Sequence, residues 1–167
     1  MFSFIKDFES CFLSERVATQ KIFAALTDAT LEQQVGEGFR SLKRLGWHIV
    51  QTYPEMMKLA GLTGFSMPAD APLPDNAAAI IRGYDTVSRE LLEQIKSSWS
   101  DATLHESRDF YGEQWKLGAA LMSLVTHEIH HRAQMTVLMR QAGLKVPGIY
   151  GPSKDEWAAF GASPPEV

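Results

Sequence analysis

The sequence predicts an all-helical fold, a four-helix bundle, and three observations predict it. Apolar residues recur every three or four positions through four long segments. No segment alternates apolar and polar residues convincingly enough to read as a strand. The prolines fall between the periodic segments rather than within them, Pro54 excepted. The chain has 167 residues, of which 45% are hydrophobic and 22% charged, enough to build one core, and residues 1–167 read as one domain.

The first helix is expected from Phe4 to Leu26, with Phe4, Phe8, Cys11, Phe12 and Ile22 at helical spacing. Thr27, Asp28 and Thr30 mark a break and a new cap. The second covers roughly Gly38 to Ala60, where Leu45, His48, Thr52, Met56 and Leu59 share a face. Pro54 should kink it, having no N–H and crowding the preceding turn, and Gly61 is placed to end it. Residues 62–74 form a linker carrying Gly64, Pro68, Pro72 and Pro74. The third helix starts near Asp75, a possible N-cap, and steps through Ile80, Tyr84, Val87, Leu91 and Ile95. Ser97 to Phe110 reads as a polar connection. The fourth and longest helix runs from about Glu113 to Ala142, with Gly143 where a C′ glycine belongs. Leu117, Ala120, Leu124, His127, His131, Met135 and Leu138 line one narrow stripe of it. The tail, with VPGIYGPS and SPPEV, is expected to be irregular.

The histidines carry the chemistry. His127 and His131 are four residues apart, so both project from one helix face, a turn apart, and lie within the apolar stripe. An imidazole there is costly without a partner. A lone histidine on an apolar face is more often satisfied by a carbonyl or carboxylate, but a pair at this spacing is also the arrangement that reaches one metal ion. His48 holds the equivalent place on the second helix. If the two helices pack together, His48, His127 and His131 converge on a divalent metal and leave coordination positions open, as in catalytic zinc sites. A water held there would have a lowered pKa. His130 could share an ion with His127 at i and i+3. Its wheel neighbours Ser123, Thr126 and Gln134 are polar, so His131 is the preferred ligand. His105 lies in the polar connection and is expected in solvent.

His127–His131 also matches H-E-x-x-H, in which Glu128 would be the general base of a metalloprotease. Against this, Glu128 lies four residues before Arg132, a spacing that commonly makes a surface ion pair, and no strand precedes the helix to bind an extended substrate. Glu156 is a conceivable third ligand but belongs to the Pro- and Gly-broken tail. Trp47 and Tyr53 flank the His48 face, more as core or interface than as pocket. Cys11 reads as a small buried hydrophobe. Tyr150 either folds over the bundle mouth or caps the fourth helix. Met122 and Ile129 face the first helix or a second subunit.

The segment HEIHHRAQ, with His48 in LGWHIVQT, resembles the DinB (damage-inducible, YfiT-like) superfamily, in which one histidine of the second helix joins two of the fourth in a pattern like H-x-x-x-H-R-G-Q. The match places His48 on the first ligand position and His127, His131, Arg132 and Gln134 on the motif; the helix order and the tail IYGPSKDEW extend it over nearly the whole chain. Ala133 stands where the family commonly has Gly, and being small and helix-favouring it should not disturb the site. The resemblance implies an up-down-down-up bundle, a nickel or zinc ion on the three histidines, and a homodimer. Some members of that family transfer low-molecular-weight thiols or isomerise thiol adducts, and the reaction itself does not carry over with the fold. The open coordination position points separately to an enzyme acting on a small-molecule substrate, by thiol transfer or hydrolysis. The other reading is a non-catalytic module that the metal stabilises.

The net charge of -4 carries no basic footprint for nucleic acid. The N-terminal residues have no basic leader, no 18-residue apolar run occurs, and the single cysteine fits a reducing compartment. A cytoplasmic protein with no membrane partner is therefore expected.

Overall fold

The structure, a computed structural model, describes residues 1–166; Val167, the last residue of the SPPEV tail, lies outside them. Four helices form the body: α1 (Ile5–Ala24), α2 (Leu42–Leu59), α3 (Ala77–Ser98) and α4 (Leu117–Gln141). Around the bundle α1 packs beside α3 and α4, and α2 beside α3 and α4, so α1 lies diagonally from α2 and α3 from α4. This order makes α2 and α4 neighbours, the condition for His48 to meet His127 and His131.

The helix ends follow local chemistry. The Ser41 hydroxyl accepts from the Arg44 N–H and caps α2, which starts at Leu42, four residues later than the Gly38 boundary expected. Asn76, rather than Asp75, caps α3 by accepting from the Ala79 N–H at 2.9 Å. Asp101, in the connection after α3, accepts from the Ile5 N–H at 2.8 Å and so caps α1 across 96 residues. Gly143 ends α4 with φ +76°, the left-handed conformation, while the Leu144 N–H reaches back to the Met139 carbonyl at 2.9 Å. Pro54 does not end α2, which runs on to Leu59 with the proline ring buried.

Two sequence expectations fail here. The segment read as polar connection and helix start is a β-hairpin, β1 (Ser107–Phe110) paired antiparallel with β2 (Glu113–Lys116). Tyr111 and Gly112, both at positive φ (58° and 90°), make its two-residue turn. The four-residue strands are mostly exposed and offer little apolar alternation; Phe110 is the buried residue, stacked on Trp115 at 5.3 Å. Helix α4 therefore begins at Leu117 rather than Glu113.

The second failure is the single narrow stripe on α4. The predicted stripe does face inward, but Leu121, Val125, Glu128, Arg132 and Met139 are buried as well. The helix is embedded on two sides. Glu128 and Arg132, expected as an exposed pair, lie on the second of these and do not pair with each other.

Glu128 instead accepts hydrogen bonds from the other three helices: from Thr19 of α1 at 2.5 Å, from Tyr53 of α2, and from Tyr84 of α3 at 2.7 Å. Arg132 donates to the Thr19 hydroxyl at 3.1 Å and pairs with the Glu15 carboxylate at 2.6 Å. Tyr150 completes this cluster, accepting from Arg132 and donating to Glu15, so the tail is fastened to α1 and α4 rather than capping α4. The tail is also less irregular than expected. Glu156 accepts from the Gly148 and Ser153 N–H groups, and a 3-10 turn follows over Trp157–Phe160.

Burial holds the Glu128 carboxyl above the usual carboxylate range, and the three hydroxyl donors offset only part of that rise. Truncating it strands three buried hydroxyls, each costing ~1–3 kcal/mol unpaired. Glu128→Ala is accordingly expected to lose at least ~3 kcal/mol of stability, or roughly 6–12 °C in Tm for a chain of this size. Glu128→Gln keeps the shape and one acceptor oxygen and should lose less than half as much. Chemical and thermal denaturation of both variants checks the order; an Ala variant as stable as the Gln variant would contradict it.

Candidate metal centre

His48 lies midway along α2; His127 and His131 lie one turn apart on the face of α4 that packs on α2. Their ligating nitrogens all fall within 4.8 Å of one another. His127 Nε2 is 3.2 Å from His48 Nε2 and 3.1 Å from His131 Nε2. The rings stand edge to face, with centroids 4.4–4.9 Å apart. Three nitrogens each ~2.0–2.1 Å from one ion, at angles between octahedral and tetrahedral, lie ~2.8–3.4 Å apart. The two measured separations fall in that interval.

Proton bookkeeping supports the same point. His131 Nδ1 is 2.8 Å from Gln134 Oε1, an oxygen that only accepts. The imidazole therefore carries its proton on Nδ1 and turns a bare Nε2 lone pair toward His127. His127 must then donate to His131, and the same single proton would have to serve His48 as well. A cation at the shared point satisfies all three nitrogens.

The imidazoles are also held neutral. Burial lowers His48 to about 4, with the Arg40 guanidinium the next contributor. Burial likewise lowers His127 to about 4, and it lowers His131. Neutral imidazole is the form that ligates a metal. Gln134 was legible only as part of a motif. Its geometric work is to fix the His131 tautomer and ring plane, while its Nε2 lies 3.1 Å from His130 Nε2. His130 is exposed and stands outside the converging group. His105 is exposed as expected, and Glu156 is tied to tail backbone rather than to the histidines.

The remaining singled-out residues settle into the packing. The Trp47 indole is buried and donates to the Ala71 carbonyl at 3.0 Å, holding the linker onto α2. Tyr53 is fully buried, its ring beside Phe12 and Tyr84 and its hydroxyl on Glu128. Cys11 is half-buried against the core, and burial raises its thiol rather than activating it. Met122 and Ile129 are half-buried against the same core. A cavity of about 340 Å³ adjoins His131 and Gln134, walled by Val35, Phe39, Arg40 and Leu138 among others. Phe39 and Arg40, expected in the first turn of the second helix, lie instead with Val35 in the loop that precedes α2.

The family match decides the kinship. The DinB family model matches residues 1–166. The chain belongs to the DinB family. It is 43% identical over 168 residues to YrdA of Bacillus subtilis (strain 168), covering all of both chains. A DinB-like protein from Bacillus cereus superposes with a TM-score of 0.86 at 40% identity, over 90% of this chain and all of that one. A second DinB-like protein, YjoA from Bacillus subtilis, gives 0.68 at 17% identity over 86% of this chain and 97% of that one, a likeness of fold. These neighbours agree with the all-helical bundle expected from the sequence. No helix among the described residues is long and apolar enough to cross a membrane.

Gln134→Ala frees the His131 ring to rotate and change tautomer. Loss of such an outer hydrogen bond typically costs roughly 10–100-fold in metal affinity. Competition titrations with a zinc chelator on the wild type and the variant measure it; unchanged affinity would deny Gln134 this role.

Proposed function

We propose that this DinB-family chain binds a divalent metal ion, nickel or zinc, through His48, His127 and His131, and that it acts on a small molecule as a thiol S-transferase or hydrolase. The observation that supports the reading best is the convergence of three neutral imidazole nitrogens on one point beside a cavity. The group holds imidazoles only, so the protein donates three ligands and leaves the cavity side of the ion for a substrate. An ion bound there supplies Lewis acidity and holds a thiol sulfur deprotonated near neutral pH.

The chain's own residues have definite parts. His48 joins α2 to α4 through the shared site. His131, aimed by Gln134, faces the cavity. Glu128 is not placed to move a proton at the site, since both its oxygens are engaged by hydroxyls of α1, α2 and α3. The H-E-x-x-H spelling is thus filled by a structural glutamate. Homodimer formation and a cytoplasmic setting belong to the same proposal, supported by the family resemblance and by the lone cysteine respectively.

The test joins metal content, stability and turnover in one preparation. Wild type should retain stoichiometric metal, and saturating zinc at ~100 times Kd should add ~2.7 kcal/mol, or about 5–10 °C of Tm. His131→Ala should lose both metal and any turnover of thiol acceptors or esters. Its stability should fall by less than the ~2–5 kcal/mol of a buried Leu→Ala, because the apolar core is intact. Global unfolding on metal removal, with no turnover toward either substrate class, would replace the enzyme reading by a metal-stabilised module.

A further inference from the structure

The cavity beside His131 has a composition the three-histidine site does not explain. Its walls are mainly aliphatic and aromatic, and three of them stand unusually bare: Val35 is 59% exposed, Phe39 65% and Val137 52%. Exposed large apolar side chains gathered around one concavity are characteristic of a binding surface. A volume of about 340 Å³ is that of a pocket for a small organic molecule.

Among these walls stands one cation. Arg40 lines the cavity with His131, is exposed, and takes part in no ion pair among the described residues. Arg44, one turn on, is likewise without an ion pair, and the first turn of α2 holds no acidic residue to neutralise either. The neighbouring Lys43 is the one engaged, by Glu32. No ion pair among the described residues thus engages the positive charge at the mouth of this pocket, and the neighbouring imidazoles offer no negative charge.

We propose that this cavity takes a small organic carboxylate with an apolar body, its carboxylate on the Arg40 guanidinium and its body against Phe39, Val35 and Val137. A guanidinium fork matches a carboxylate in shape and charge. Arg40 is the single cation among the lining residues, with His131 and Gln134 the other polar walls, and one guanidinium suits a monoanion; a phosphate dianion would call for more donors. The proposal deepens the small-molecule reading above and rests on it for placing substrate at His131. It also makes electrostatic sense of Arg40, because a second cation beside a divalent ion is tolerable when an anion lies between them.

The probes are 4-phenylbutyrate and its uncharged amide, titrated calorimetrically into protein whose metal content is measured on the same sample. Wild type should bind the acid about tenfold more tightly than the amide. Arg40→Gln should remove that preference while retaining metal, since Arg40 is no ligand. Phe39→Ala should weaken acid and amide alike. Equal binding of the two probes by wild type overturns the proposal, as does a preference that survives in Arg40→Gln, which would assign the charge reading to the metal. A wild-type dimer that Phe39→Asp converts to monomer, with no probe bound in either, also overturns it by giving the groove to a second copy. Wild type that takes up no zinc or nickel on titration, yet still shows the Arg40-dependent preference, would sink the metal reading and leave this one standing.

Discussion

One carboxylate ties the bundle together. Glu128 belongs to α4 and takes hydrogen bonds from α1, α2 and α3, so every helix contributes a polar group to one buried point. Apolar packing alone leaves helices free to slide and rotate at modest cost, because many side-chain arrangements bury similar area. A buried carboxylate does not, since desolvation costs several kcal/mol and is offset only while the donors stay in place. The net gain in stability from such a cluster is small. What it supplies here is a fixed rotation and height for α4, reinforced by Arg132 on Thr19 and Glu15 one turn further along.

The three-histidine group depends on that rotation. Glu128 and Arg132 directly follow His127 and His131 in sequence, about 100° round the helix from them. Locking the first pair into the core necessarily aims the second pair at α2. The short separations among the imidazoles then follow from two helices being neighbours and one of them being unable to turn. Gln134 performs the last adjustment by fixing which His131 nitrogen is bare.

Much of this was legible beforehand. The four helices, the inward placing of His48, His127 and His131, and the glycine end of α4 follow from periodicity and cap chemistry, which are local properties. The errors were those local rules cannot avoid. Glu128 and Arg132 obey the i, i+4 pattern of a solvated ion pair, and only their partners Thr19, Tyr53, Tyr84 and Glu15, between 44 and 117 residues away, show that the pattern is buried. The hairpin at Ser107–Lys116 was missed because strands of four residues with one buried side chain carry no usable alternation. Phe39 and Arg40 were read into the second helix and their place in a cavity wall was not legible, because such a wall is defined by what lies across from it.

Helix α4 therefore does two jobs on adjoining faces. One presents His127 and His131 to α2, and His131 to the cavity as well; the other sinks Glu128 and Arg132 among the remaining helices and the tail. The H-E-x-x-H spelling arises from interleaving these faces at the 3.6-residue period, with no need for the glutamate to touch a metal-bound reactant. The interleaving makes the two jobs unequal under substitution. A change at His131 alters the chemistry of one face and leaves the helix anchored. A change at Glu128 releases the anchor, and through the turn of α4 it reaches the imidazoles as well, so loss of metal in a Glu128 variant would report a rotated helix rather than a lost base.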